Sequence, residues 1–314
     1  MSAYNFTLRQ LQYVIAVAET MSFRRAAERC NVSQPSLSAQ VAEVEAALGV
    51  ALFERDRRGV IVTVAGKELL ERARRVLVEA SDFVEAASRF ADPLAGTLRI
   101  GAIPTIAPYL LPRVVPALRK AYPRLTFVWT EDKTDVLVRA ISHGELDAAL
   151  LALEANLGDL EYYVISKDPF VLATPVGHKL SKSSSPVSRT VLRGERVLLL
   201  NDGHCFRDQV IEYCASTKIE ELGFRATSLP TLAQMVASGT GITLLPSIAV
   251  STETYRSEMG VRPFTHPAPF RTIVLGWRRR SAQVATLRDI GHTLRVIVEN
   301  DKNERSVSKK RRTG

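Results

Sequence analysis

Two of the three cysteines in this 314-residue chain stand nine residues apart, in NDGHCFRDQVIEYC. Cys205 follows His204 and sits two residues before Arg207, and Cys214 follows Tyr213. A thiolate is both a nucleophile and a metal ligand, and a neighbouring cation or a helix N-terminus favours it. NDG is a turn signal, so a helix is expected just after it, with Asp202 as its cap and Cys205 in its first turn. Over nine residues a helix turns through about 900° and rises about 13.5 Å, so the two side chains face opposite sides. A disulfide tolerates a Cα separation of roughly 7 Å. A bond between the pair therefore requires this segment to unwind or rebuild, which turns a covalent event into a local rearrangement. A metal site would need two more ligands, and the five His residues show no ligand spacing. Inert packing is the other reading, common among buried free cysteines.

The chain's chemical setting bears on that choice. The start, MSAYNFTLRQLQYV, has no basic segment followed by an apolar one, and no apolar run reaches the ~18 residues of a membrane span. A cytoplasmic location without membrane attachment is expected, where thiols stay reduced and a cysteine pair is redox-active or metal-binding more often than structural. The formal net charge of +9 suggests an anionic partner.

Elements that could hold the cysteine helix follow an alternating pattern. TLRIGAI, LTFVWT, DAALLAL, FVLATPV, RVLLLN, FRATS, GITLLP and TIVLGW read as strands. Between and after them lie helices such as LLPRVVPALRKAY, TDVLVRAISHGEL, LPTLAQMVASG and SAQVATLRDIGHTLRVIVE. Alternation of this kind predicts an α/β domain over residues 94–300 with largely parallel sheets, in two lobes, the late strand and last helix rejoining the first. Ligands in such folds bind at strand C-termini and between lobes, and GAIPTIAPYLLP lies at one such end. No phosphate loop and no GxSxG motif occurs, so neither an enzyme nor a bound cofactor is expected.

Residues 1–65 read differently. Leu8, Leu11, Val14, Ile15 and Ala18 share a helical face, and SFRRAAERC gives a short second helix with Cys30 at its end as a packing residue. Ser33 caps a third helix, Pro35 occupies its first turn, and Gly49 ends it. Leu37, Val41, Val44 and Leu48 face inward, while Gln34, Ser36, Ser38 and Gln40 are side chains suited to base edges in a major groove. The segment LFERDRRGVIVTVAGKELL reads as strand, tip, strand and helix, with Arg57 and Arg58 at the tip as phosphate contacts. The whole is a winged helix-turn-helix, its candidate DNA-binding residues being Gln34, Pro35, Ser36, Ser38, Gln40, Arg57 and Arg58. From 66 to 93 a long linker helix carries Leu70, Ala73, Leu77, Ala80, Val84 and Ala87 at heptad spacing, a seam for a second copy. Packing of that helix on its own domain is the alternative. The tail, residues 301–314, holds six basic and two acidic residues and is expected to be disordered.

The stretch FRRAAERCNVSQPSLSAQVAEVEAALGVALFERDRRGVIVTVAGKELL resembles the DNA-binding domain of LysR-type transcriptional regulators, although Ala39 stands where many members carry a basic residue. LNDGHCFRDQVIEYC, FRATSLPTLAQMVASGTGITLLP and GAIPTIAPYLLP resemble the peroxide-sensing branch of that family. The resemblance implies an effector domain of two Rossmann-like lobes, similar to a periplasmic binding protein. It implies that hydrogen peroxide oxidises Cys205 to a sulfenic acid and that Cys214 resolves it to a disulfide. Thr105 would hold the peroxide. Thr134, His204 and Asp208 would lie around the pocket and Arg271 would stabilise the thiolate, while Arg207 is a candidate from its place beside Cys205 at the helix start. Further implied are a duplex DNA operator, a homodimer or homotetramer, contact with RNA polymerase, control of oxidative-stress genes, and reduction by glutaredoxin or thioredoxin. A small organic effector in the inter-lobe cleft, or peroxidase activity, are the competing functions.

Overall fold

The computed structural model describes residues 5–56, 59–91, 94–215 and 217–312. It divides into two compact units, Met1–Ala91 and Asp92–Gly314.

In the first unit, α1 (Leu8–Thr20) opens with a reciprocal cap between Thr7 and Gln10. Ser22 caps α2 (Phe23–Arg29), and Ser33 caps α3 (Gln34–Leu48) through the Ser36 N–H. Gly49 ends α3 in the left-handed region at φ 67°, where a Cβ would be strained. Val14, Val17, Ala26, Leu37, Val41 and Val44 form the core of this three-helix unit, so the third helix turns Gln34, Pro35 and Ser36 to solvent. Strands β1 (Phe53–Asp56) and β2 (Gly59–Val62) pair antiparallel as the wing, with Arg57 and Arg58 outside the described residues.

The 28-residue α4 (Val64–Ala91) starts two residues before the expected boundary. Its expected seam divides. Leu70 and Ala73 are buried, and Leu70 packs in the core of its own domain, because α4 lies against α1 there. Farther along, Phe83 is 78% exposed and Val84 63% exposed, with Val76 also exposed. Large apolar side chains in water at helical spacing form an uncovered stripe of the kind that a second chain covers.

The second unit has two cores. The first lobe contains β3 (Gly96–Ala102), α5 (Ala107–Ala121), β4 (Leu125–Glu131), α6 (Thr134–Ser142) and β5 (Ala148–Ala152). A 16-residue strand, β6 (Leu160–Pro175), then passes from one lobe to the other. The second lobe holds β7 (Arg196–Leu200), α7 (Cys205–Cys214), β8 (Glu220–Ala226), α8 (Leu229–Ala237), β9 (Thr243–Pro246), α9 (Ser247–Arg256) and β10 (Met259–Pro263). The chain returns through β11 (Phe270–Arg278) and ends with α10 (Val284–Arg312), whose Leu287, Ile290 and Leu294 seal the first core.

The sheets are mixed rather than largely parallel. β3 pairs parallel with β4 and β5, and β7 with β8, whereas β11 runs antiparallel to β5 and β6, and β6 antiparallel to β9 and β10. The reason is the double crossing: a chain that leaves the first lobe on β6 and re-enters on β11 must run against both neighbours. The basic tail differs from the expected disordered end, since the backbone of α10 stays helical to Arg312. Between Asp301 and Arg312 no Gly or Pro interrupts it, and Lys, Arg and Glu are good helix formers. No described helix is long and apolar enough to cross a membrane.

Candidate functional site

Three helices begin where first- and second-lobe strands end. The turn after β3 carries Thr105 just ahead of α5; Thr134 is the first residue of α6, and Cys205 the first of α7. Helix N-termini carry partial positive charge and unpaired N–H groups, so their convergence favours an anion or a polar acceptor. Between them lies a cavity of about 10 Å³, room for roughly one water-sized molecule. Ile103, Pro104, Thr105, Lys133, Thr134, Gly203, His204 and Cys205 line it. Gly203 has φ +86°, and a Cβ there would come within 3.1 Å of the Lys133 Nζ. That ammonium donates to the Asp202 carbonyl at 2.9 Å, fastening α6 to the turn before α7.

Arg271, on β11, is fully buried beside this cavity. Its Nη1 donates to the Thr105 hydroxyl at 2.7 Å and its Nη2 to the Thr105 carbonyl at 2.9 Å. Its Nε meets the Asp168 carboxylate at 3.0 Å. Because the Thr105 oxygen accepts from Arg271, its own proton is left for an acceptor in the cavity.

The Cys205 environment departs from what sequence suggests. Burial pushes its thiol above the ordinary value, against the pull of the Thr134 hydroxyl, the Arg271 charge and the Phe206 N–H. Asp208, exposed on the first turn of α7, also pushes it up. His204 is not the expected cation: burial and then the Lys133 charge lower its pKa. Arg207 is occupied elsewhere, with Asp202 at 3.0 Å, Glu221 at 3.0 Å and the Leu200 carbonyl. Nor does Asp202 cap α7. The N-cap is His204, without a side-chain bond, and Asp202 pairs with Arg207 and Arg225. The cation that acts on the thiol is Arg271, 66 residues downstream.

Thr105, Thr134, His204, Cys205 and Arg271 thus come together; Asp208 acts on the thiol from the exposed first turn of α7, while Arg207 points into other surroundings. Lys133 and Asp168 are additions that no local pattern marked. Asp168 is a lone acid in a long strand, and its partner is remote in sequence.

Cys214, at the far end of the same unbroken helix, is 1% exposed in the second-lobe core, and burial pushes its thiol up to about 11. Both cysteines are free, as is half-buried Cys30, which packs at the edge of the helix-turn-helix core. Among the described residues no group of three or more His, Cys, Asp or Glu could hold a metal. On α3, Ser38 and Gln40 are half-buried, and the Gln40 amide donates to Glu43 at 3.1 Å.

Residues 8–67 match the bacterial regulatory helix-turn-helix of the lysR family, and residues 91–295 match the LysR substrate binding domain. The chain belongs to the LysR family. Among LysR-family relatives, the Escherichia coli K12 DNA-binding transcriptional dual regulator OxyR is 40% identical over 93% of this chain and 96% of its own. The hydrogen peroxide-inducible genes activator of Dickeya chrysanthemi is 43% identical over 86% of this chain and 89% of its own. Full-length OxyR from Pseudomonas aeruginosa, solved as a cysteine-to-aspartate variant, superposes with TM-score 0.75 at 35% identity, over 93% of this chain and 96% of that one. A Corynebacterium glutamicum OxyR cysteine-to-serine variant, solved with H2O2 bound, gives TM-score 0.64 at 32% identity, over 95% of this chain and 94% of that one. This LysR-family chain is therefore an OxyR-like transcriptional regulator, a DNA-binding protein rather than an enzyme.

Proposed function

We propose that this regulator senses hydrogen peroxide through Cys205 and Cys214 and changes its hold on an operator when they bond. The observation that carries the reading is the small cavity lined by two threonines and one thiol, with a buried guanidinium bonded to Thr105 behind it. The cavity is on the scale of a single water, so a small oxidant such as peroxide is far nearer its size than an organic effector. The Cys205 sulfur, as thiolate, attacks one peroxide oxygen. An S–O bond forms, the O–O bond breaks, and the departing hydroxide takes a proton to become water. Thr105 donates to the bound peroxide, while Thr134 and Arg271 stabilise sulfur charge. The Cys214 thiolate then attacks the sulfenic sulfur, forming the S–S bond and releasing the second oxygen as water. A dithiol reductant such as glutaredoxin or thioredoxin returns both thiols. The reduced resting state fits a cytoplasmic protein.

Gln34, Pro35, Ser36, Ser38 and Gln40 on α3 read the operator, with Arg57 and Arg58 on phosphates. The exposed stripe on α4 pairs two copies, which brings two α3 helices to two half-sites. Assembly to a tetramer and contact with RNA polymerase complete the reading.

The test is peptide mass after stoichiometric peroxide. Trypsin cuts after Arg207, so Cys205 and Cys214 fall on VLLLNDGHCFR and DQVIEYCASTK. The reading expects these two joined and lighter by two hydrogens; two unjoined, unoxidised peptides would remove it. A small organic effector has its own place, an open groove of about 630 Å³ lined by Arg189, Gln209, Tyr213 and Phe270 among others. Ligand-dependent operator binding with unoxidised peptides would favour that alternative, and sustained peroxide turnover with a reductant would favour a peroxidase.

At the wing, Arg58→Ala should weaken binding to every duplex and reduce the slope of log affinity against log salt by about 1. Fluorescence anisotropy at several salt concentrations reads both, and an unchanged slope would take the wing out of the account.

A further inference from the structure

Asp168 lies at the crossing between lobes, where β6 leaves β11 and takes up β9. It stands directly across the ladder from Arg271 and is almost fully buried. One carboxylate oxygen accepts from the Arg271 Nε at 3.0 Å; the other accepts the Ile248 N–H at 3.0 Å, in the first turn of α9. A helix N-terminus supports a buried carboxylate, and the carboxylate supports the buried guanidinium. With its Nε so held, the Arg271 fork has both terminal nitrogens directed at Thr105.

We propose that Asp168 is a positioning residue of the peroxide site: it orients Arg271 so that the Thr105 hydroxyl is aimed at the bound oxidant, and it offsets the positive charge that Cys205 feels. The inference rests on Cys205 being the peroxide-reactive thiol. The charged and polar groups facing that thiol are Thr134 from α6, Arg271 from β11 and Asp208 from α7, with Lys133 and His204 on the cavity wall. Asp168 reaches the thiol only through Arg271, so its removal has a two-part signature. Loss of its negative charge leaves Arg271 less offset, and the thiolate becomes easier to form. Loss of the fixed fork frees Thr105, and peroxide is held less well.

The experiment follows single-turnover reaction of the reduced full-length protein, carrying Cys30→Ser, with hydrogen peroxide and with iodoacetamide across pH. Asp168→Asn should move the midpoint of both profiles to lower pH. At the alkaline plateau the peroxide rate should fall about tenfold while the iodoacetamide rate stays within about twofold. Asp168→Glu keeps the charge but lengthens the arm, so its midpoint should stay at the wild-type value while the peroxide plateau still falls. If Asp168→Asn fails to fold, as judged by circular dichroism, the Glu variant alone decides through that plateau. A folded Asp168→Asn with the wild-type midpoint and peroxide plateau would overturn the proposal, as would an undiminished plateau in Asp168→Glu. Wild-type Cys205 that reacts with peroxide no faster than free cysteine would instead overturn the reading beneath it.

Discussion

Cys205→Ser abolishes the peroxide response. A serine hydroxyl at neutral pH supplies almost no nucleophile, so no S–O bond forms and peptides 197–207 and 208–218 stay unjoined at any moderate peroxide excess. Operator binding should then be the same with and without peroxide. Cys214→Ser behaves differently. Cys205 still reacts, but the sulfenic acid has no resolving thiol and is trapped by a dimedone-type probe or oxidised further. Cys30→Ser leaves both steps intact, since that residue packs among helix-turn-helix side chains in the other unit. The contrast among the three cysteines is measured by intact-mass spectrometry after one equivalent of peroxide. Loss of the joined peptides in Cys30→Ser, or their persistence in Cys205→Ser, would reassign the chemistry.

Arg271→Ala carries the largest expected cost in stability. Truncation leaves Asp168 buried with half its partners and opens space beside the cavity. Removing one member of a buried pair typically costs about 3–5 kcal/mol. The chain's two tryptophans, Trp129 and Trp277, both pack in or against the first-lobe core, so urea unfolding followed by their fluorescence reports this lobe. The double change Arg271→Met, Asp168→Leu removes both charges together and should recover much of the loss, because no unpaired ion remains. An Arg271→Ala protein with a wild-type midpoint would mean that the pair is balanced by solvent and not by burial. Peroxide reactivity is expected to be lost in both variants, which separates the stabilising role of the pair from its chemical one.

The sequence made some parts of this molecule legible because local chemistry dictates them. Ser33, Pro35 and Gly49 set the ends of α3 through a cap, a fixed φ and a left-handed C-cap, none of which needs a distant partner. The alternation of strands and helices from Gly96 onward depends on periodicity alone, and α7 began where NDG ended. What local pattern could not carry was pairing. The first part of β6, LEYYVISKDP, mixes polar and apolar residues at a lobe crossing and carries no strand signal, and α9 and β10 likewise lack a local signal. The antiparallel return of β11 is a property of topology that no single segment records.

Electrostatic neighbours depend on pairing in the same way. Adjacency in sequence puts His204 and Arg207 beside Cys205, but helix geometry turns Arg207 toward Asp202 and Glu221, and burial, then the Lys133 charge, lowers the pKa of His204. Arg271, which the family resemblance names and adjacency in sequence does not, is brought in by strand pairing and supplies the charge. On α4 the expected seam and the exposed apolar residues coincide only at Val84, since Val76 and Phe83 lie beside the seam positions. Its first turns are covered by the chain's own α1, and the exposed apolar surface begins near Val76.

For Cys205 and Cys214 to act on each other, the helix between them must be taken apart. In the reduced protein both lie on one continuous ten-residue helix, and Cys214 is buried in the second-lobe core. Along an intact helix their Cα atoms are about 13.5 Å apart, far beyond disulfide reach. Amide hydrogen exchange across residues 205–214, measured before and after one equivalent of peroxide, tests this most directly. These amides should lose their helical protection or redistribute it when the joined peptides form, and Cys205→Ser should keep the reduced pattern under the same peroxide. A disulfide formed in full, with exchange across this segment unchanged, would contradict it.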